Sequence, residues 1–325
     1  MRPDIVRQPL LLAVFSLLVI IAVAFIWGEL QTAGIGTQIA TPLGSLLRRF
    51  QDSYPVCSQL IASTLLLLSG ITTGRLTVRY GLYPVNTSLA IPLYGIVACG
   101  ILLGENYLTE ILSAFILLLS TRNYMSGYRT GYAIGPAFRG SFFLGILPLL
   151  YAPALPLPIL FLPAAFCFRR TLREAFIALC GAILPLLITA YISWGVGNGF
   201  ADTFIWMWKA FLSDSGYRIF ENTPLLTPAI LGVVLFITLC GIFFSLACFR
   251  TQSLRAKGIL TYLMILFTAT TLLATAPSAT PGLLAIIALP AAILMPQTFI
   301  RTQTTIGSLL YLMVYGLCII NIILY

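Results

Sequence analysis

The chain reads as an all-α, polytopic transmembrane helical bundle of about eleven membrane segments with a cytoplasmic N-terminus. Three features of its 325 residues point there. Some 59% of residues are apolar and the mean hydropathy is +1.01. Only 8% are charged, against roughly 25% in soluble domains. Uncharged runs of membrane-crossing length alternate with short basic connectors, so most side chains must face lipid or one another.

Arg2 and Arg7 precede an uncharged stretch that ends at Gly28. No small-x-small cleavage site follows at Trp27-Gly28-Glu29-Leu30, so the first helix is expected to stay uncleaved. A crossing needs about 20 residues. On that measure spans are expected over Pro9 to Gly28, Pro55 to Gly74, Ser88 to Gly104, Tyr107 to Thr121, Ala175 to Trp194, Thr227 to Phe249 and Thr304 to Tyr325. The run Gly258 to Ile300 would be about 65 Å long as one helix. It is broken by Ala276-Pro277-Ser278-Ala279-Thr280-Pro281, which makes two spans and a tight turn.

The stretch 140–168 holds Pro148, Pro153, Pro156, Pro158 and Pro163. It is either one kinked span or a proline-broken hairpin turning at Ala152-Pro153-Ala154, and charge decides between them. As a hairpin it leaves fourteen of the eighteen Lys and Arg inside, with only Arg48, Arg49, Lys209 and Arg218 outside. A single crossing would split them nine and nine, so the positive-inside rule selects the hairpin. Its limbs are short enough for one or both to be re-entrant. All four tryptophans, Trp27, Trp194, Trp206 and Trp208, then fall at or beyond outer ends. The chain forms one integral membrane domain, with outer loops at 29–54 and 198–226. The expected location is the bacterial cytoplasmic (inner) membrane.

The absence of histidine rules out His-based acid–base chemistry and His-containing metal sites. The seven cysteines are odd in number and show no CxxC spacing, so they read as small packing residues. No metal or cofactor is expected. The net charge of +9 is explained by membrane orientation, and nucleic acid is not an expected partner.

In the first outer loop, Leu43, Leu46, Leu47 and Phe50 recur at helical spacing opposite Arg48, Arg49, Gln51 and Asp52. With Thr41-Pro42 as N-cap and first-turn proline, this describes a short amphipathic helix on the outer leaflet. Arg48 and Arg49 either snorkel to lipid phosphates or hold a lipid-linked phosphate. A second interfacial segment is expected in the 198–226 loop, with Phe204, Trp208, Phe211 and Leu212 on one face. Glu110 is the acid placed inside an expected span, near its outer end. It is either a functional group, since an ionisable side chain there is costly unless paired or wetted, or a solvated acid on a misplaced boundary. No ionisable residue is expected near mid-membrane, which weighs against ion-coupled transport.

The segments Phe143-Leu144-Gly145-Ile146-Leu147-Pro148-Leu149-Leu150-Tyr151-Ala152-Pro153-Ala154-Leu155 and Phe168-Arg169-Arg170-Thr171-Leu172-Arg173-Glu174-Ala175 resemble an uncharacterised family of polytopic inner-membrane proteins of Bacteroidota. In its order of parts the chain is also similar to the GT-C glycosyltransferases and polysaccharide polymerases. That resemblance implies action on polyprenyl-phosphate sugars at the outer face. Glu29 or Asp52 would then be the first-loop acid, acting as general base toward an acceptor hydroxyl. Glu105 would be the second acid, and Arg48 and Arg49 would bind the donor phosphate. The chain departs from the pattern in lacking an acidic pair in the first loop and a soluble outer domain.

Three functions follow as expectations. The first is handling of a polyprenyl-linked glycan, by a GT-C-like transferase or an inactive relative. The second is a non-enzymatic subunit or scaffold of an envelope assembly, with membrane-protein partners. The third is a passive lipid or solute transporter built on the proline-broken hairpin. Membrane lipids are partners in all three.

Overall fold

The computed structural model describes residues 5–26, 41–128, 133–215 and 226–324. Helix α1 (Leu10–Ile26) is followed by the short α2 (Pro42–Ser53) and then α3 (Pro55–Arg79). Helix α4 (Ala90–Gly95) continues as a π-turn over Ile96–Gly100, and α5 spans Tyr107–Gly127. Helix α6 (Ile134–Leu150) leads through two 3-10 turns, Ala152–Ala154 and Leu157–Leu160, into α7 (Phe161–Cys167). Next come α8 (Leu172–Gly195), α9 (Asp202–Leu212), α10 (Leu226–Ala247) and α11 (Leu254–Leu272). The chain closes with α12 (Leu283–Leu294), α13 (Pro296–Arg301) and α14 (Thr304–Leu324). Every described element of regular structure is helical, as lipid requires of a chain that does not close into a barrel.

Among the described residues, six helical stretches are long and apolar enough to cross a membrane, and four shorter apolar ones accompany them. This fits a multi-pass membrane protein. Fewer segments cross unaided than the eleven expected, for identifiable reasons. Prolines shorten the 140–168 limbs, the π-turn ends its helix at Gly100, and α5 carries Glu110 and several hydroxyl side chains into the bundle. The most enclosed segment is Leu283–Arg301, 83% buried, against 28% to 44% for the other long spans. It forms the axis of the fold, and the other helices turn large apolar side chains such as Leu11, Phe176, Phe236 and Leu309 outward.

Without a hydrophobic driving force between helices in lipid, close approach rests on small residues. Helix α6 packs on α8 through Gly145 against the Ala182 backbone and Gly181 against the Phe138 carbonyl. It meets α5 where Gly140 faces the Tyr124 ring. Cys318 of α14 lies directly on Gly100 and donates its thiol to the Gly100 carbonyl at 3.0 Å. A polar tie helps hold the irregular stretch after the π-turn: Asn321 Nδ2 donates to the Ile101 carbonyl at 2.9 Å, and Thr227 donates to Asn321 Oδ1 at 3.0 Å.

The 140–168 segment is a hairpin. Its entry is fixed beside Glu174, whose Oε1 accepts from Ala133 N at 2.6 Å, and its exit residue Phe168 stacks on Tyr124. Its turn lies at the opposite end of α5, where the Leu150 carbonyl accepts from Thr41 Oγ1 at 2.7 Å. Both limbs therefore cover the same depth. Glu174 also completes a capping box with Thr171 at the start of α8 and pairs with Arg170 at 3.6 Å.

The charges divide between the two ends of the bundle. Arg79, Arg170, Arg255 and Lys257 sit at the Phe168 end, where the Arg255 guanidinium lies 4.5 Å from the Tyr80 ring centroid. Arg48 sits at the end carrying Glu110, as do the exposed Trp206 and Trp208 of α9.

Candidate functional site

At the Glu110 end the chain brings five separate segments to one small cleft. The irregular stretch between the π-turn and α5 delivers Glu110 on the first turn of α5, where the Asn106 carbonyl accepts the Glu110 N–H at 3.2 Å. The hairpin turn delivers Tyr151, and the proline-bounded turn before α12 delivers Ser278 and Thr280. Helix α2 supplies Arg48, and the end of α9 supplies Ala210 and Ser213. The cleft encloses about 60 Å³, which is room for a few waters.

Glu110 is only 3% exposed. Thr280 Oγ1 donates to Glu110 Oε1 at 2.8 Å, so the Thr280 hydroxyl must accept from the Tyr151 hydroxyl, 2.8 Å away. Tyr151 in turn accepts the Thr280 N–H at 3.4 Å, which closes a ring of bonds between Tyr151 and Thr280 and fixes the hydroxyl that donates to the carboxyl group. Two glycines leave the space it occupies. A Cβ on Gly104 would lie 2.6 Å from Glu110 Oε2, and one on Gly282 would overlap the carboxyl group outright. The carboxyl therefore rests against backbone at the N-terminal end of α12, where the helix dipole favours negative charge. No ion pair within 4.0 Å joins Glu110 to Arg48, although both line the cleft. The Ser278 hydroxyl is buried in the same wall, its residue 2% exposed, and has no hydrogen-bond partner among the described residues. A buried unpaired hydroxyl costs free energy unless something fills it.

The two loop segments expected to lie on the outer leaflet converge here as a roof. Helix α2 is docked on the bundle rather than floating. Thr41 is its N-cap, but the hydroxyl goes to the Leu150 carbonyl and makes no capping bond. Gly44 permits the approach, since a Cβ there would meet the Leu150 carbonyl at 2.6 Å. Gln51 Nε2 donates to the Glu105 carbonyl at 2.6 Å, tying α2 to the entrance of α5. The end of α9 is pinned by Ser215, whose N–H donates to Pro277 O at 3.0 Å and whose hydroxyl donates to Ala279 O at 2.7 Å. Its aromatic face is turned outward, with Trp208 56% exposed, while Thr203, Met207 and Ala210 face the bundle.

Arg48 and Glu110 are thus brought together. Arg49 is exposed on α2 and does not line the cleft, and Asp52 is exposed near the end of the same helix. Glu105 is half-buried beside the cleft without lining it, close enough for its charge to act on Glu110. Glu29 lies outside the described residues. Among the described residues no three Cys, Asp or Glu side chains are placed to hold a metal ion. Tyr151, Ser278 and Thr280 join the site from turns that the sequence marks only by their prolines.

No protein-family model, no curated protein and no solved structure matches the chain.

Two larger apolar hollows flank the cleft. One, of about 490 Å³, lies between the second hairpin limb, with Pro156, Leu160 and Pro163, and the end of α11. The transporter reading requires a pocket lined by this proline segment, and the hollow is lined by it, but apart from Thr275 its other walls are apolar residues including Phe211 and Leu272. The second hollow, of about 560 Å³, is bounded by α10, α11, α12 and the π-turn, and it shares Thr280 with the cleft.

Proposed function

We propose that this is a multi-pass protein of the bacterial cytoplasmic membrane, with eleven membrane segments and the N-terminus inside. In this reading it transfers sugar from a polyprenyl-phosphate donor at the outer leaflet, in the manner of the GT-C enzymes whose order of parts its sequence resembles. The observation that carries the reading is a buried carboxyl group held in place by the Thr280 hydroxyl, in a cleft that also takes in the side of Arg48. An acid held at one end of a lipid-facing bundle without a cationic partner within 4.0 Å among the described residues is a functional group by default.

Glu110 is the general base in this reading, in place of Glu29, Asp52 or Glu105. It takes the proton of the acceptor hydroxyl as that oxygen bonds to the anomeric carbon. The bond from the anomeric carbon to the phosphate oxygen breaks, the electron pair stays on the polyprenyl phosphate, and Arg48 balances that charge. The Thr280 and Tyr151 hydroxyls fix the carboxyl orientation through their bonded ring. A cleft of about 60 Å³ admits a phosphate-sized group and not a sugar, so the α2 and α9 roof has to shift to admit the donor.

The test uses full-length protein in nanodiscs with radiolabelled polyprenyl-phosphate sugars and saccharide acceptors, following release of polyprenyl phosphate. Glu110→Gln, which keeps size and removes the base, is expected to lower turnover by about 10²- to 10⁴-fold while the protein remains folded. Wild-type turnover with E110Q, or no turnover of any donor by wild-type protein, would sink the proposal and favour a scaffold.

A further inference from the structure

Helices α10 and α11 follow one another in the chain, joined by a short connection around Phe249–Thr251, yet they scarcely touch. Each leans instead on other partners, α10 on α13 and α14, and α11 on α12. The gap between them is the 560 Å³ chamber, which lies within the size range of small-molecule sites. Its walls are mainly apolar, with Leu231, Val234 and Leu235 on one side, Phe267 on the other and Leu284 and Ile287 behind, and Thr227, Thr238, Thr271 and Thr280 are the polar residues among them. Leu235 lines the chamber and is 43% exposed, next to the exposed Phe236 and Leu239 of the same helix, which puts the chamber's rim beside the lipid-facing surface of α10. Pro281 and Thr280 separate the chamber from the polar cleft, and Thr280 belongs to both walls.

An apolar space this large is not left empty beside lipid, because unfilled volume forfeits packing energy on every wall. Its occupant is defined by what stands on either side. Hydrocarbon can enter between α10 and α11, and a polar head reaching past Thr280 meets the Arg48 cation and the unpartnered Ser278 hydroxyl. We infer that the chamber is a binding site for the hydrocarbon chain of a phosphate-headed lipid, loaded sideways from the bilayer, with the head in the Glu110 cleft. This rests on the proposed function for the identity of the head. Chain and head are bound in separate compartments, and the Thr280-Pro281 turn lies between them.

The experiment uses the full-length protein in nanodiscs and two probes: a long-chain alkyl phosphate carrying a diazirine in its tail, and the matching alkane diazirine without a phosphate. After irradiation, labelled residues are mapped by mass spectrometry. The alkyl phosphate is expected to label the facing sides of α10 and α11, and unlabelled polyprenyl phosphate should compete it away. Leu235→Trp fills the chamber from its lipid-facing rim without entering the core, and it should lower this labelling about tenfold, the effect of losing roughly 1.4 kcal/mol of binding. Val234→Trp, deeper in the wall, serves as the second variant, and both are checked for unchanged folding by size-exclusion chromatography.

Equal labelling by both probes, with no competition, would mean annular lipid only and would overturn the inference. Labelling confined to the outer surface of the bundle would overturn it too, even if E110Q abolishes transfer, in which case the catalytic reading stands alone. Competed chamber labelling in a protein whose E110Q variant behaves as wild type upholds the lipid site and removes the transferase.

Discussion

The tightest steric relation at the site is between Gly282 and Glu110, and it gives the sharpest prediction. Gly282 has φ −67 and ψ −7, a backbone conformation that alanine adopts freely, so Gly282→Ala carries no backbone strain. The added methyl would occupy the place of the Glu110 carboxyl. To reach ordinary contact the carboxyl must swing away by more than the slack in its 2.8 Å bond to Thr280. Leaving a buried carboxyl without its donor costs about 1–3 kcal/mol, and repacking around an extra methyl costs another 1–3 kcal/mol or so. The variant should therefore lose about 2–6 kcal/mol of stability. In a Glu110→Ala background there is no carboxyl to displace, and Gly282→Ala should cost less than about 1 kcal/mol. The coupling between the two substitutions is then about 1–5 kcal/mol. Reversible unfolding in mixed micelles, followed by tryptophan fluorescence and extrapolated linearly, measures all four corners of the cycle. Equal costs of G282A in the two backgrounds would refute the packing of Glu110 against the start of α12.

Further outcomes follow from the same contacts. Thr280→Val keeps shape and removes the hydroxyl that orients Glu110 and accepts from Tyr151. It should destabilise by about 1–3 kcal/mol and depress transfer in the nanodisc assay, whereas Thr280→Ser should restore most of both. Gly145→Ala forces a methyl onto the Ala182 backbone and should loosen the α6–α8 contact by roughly 1–3 kcal/mol, seen as faster hydrogen exchange in both helices. Thr171→Ala breaks the capping box of α8 and should cost about 1 kcal/mol without affecting ligand binding at the far end.

Much of this architecture is legible in the residues. Uncharged runs and their basic boundaries locate the helices, and five prolines in 140–168 announce the hairpin, whose turn the structure places beside Leu150. The two amphipathic segments, α2 and α9, are also readable from their periodicity. What periodicity cannot supply is which surface a segment docks on. α9 shows its aromatic residues to the outside and packs through Thr203, Met207 and Ala210, and α2 is seated by Gly44 and Gln51 together with Leu47, while Leu46 is turned outward. The site is half legible for the same reason. Arg48 and Glu110 stand out singly, because charge in an apolar chain is conspicuous. Thr280, Tyr151 and Ser278 do not, since hydroxyls are common in membrane helices and turns, and only a fold that brings positions 110, 151 and 280 together gives them a role.

The most direct test of the account is equilibrium binding of polyprenyl phosphate to the nanodisc-embedded protein with Arg48→Ala and Arg49→Ala compared side by side. The two residues are adjacent, equally charged and both exposed, but only Arg48 lines the cleft. Loss of a charge-assisted contact to phosphate predicts about a tenfold to hundredfold weaker affinity for R48A and wild-type affinity for R49A. Equal losses in the two variants, or a loss confined to R49A, would assign the arginines to the lipid surface and contradict a phosphate site beside Glu110.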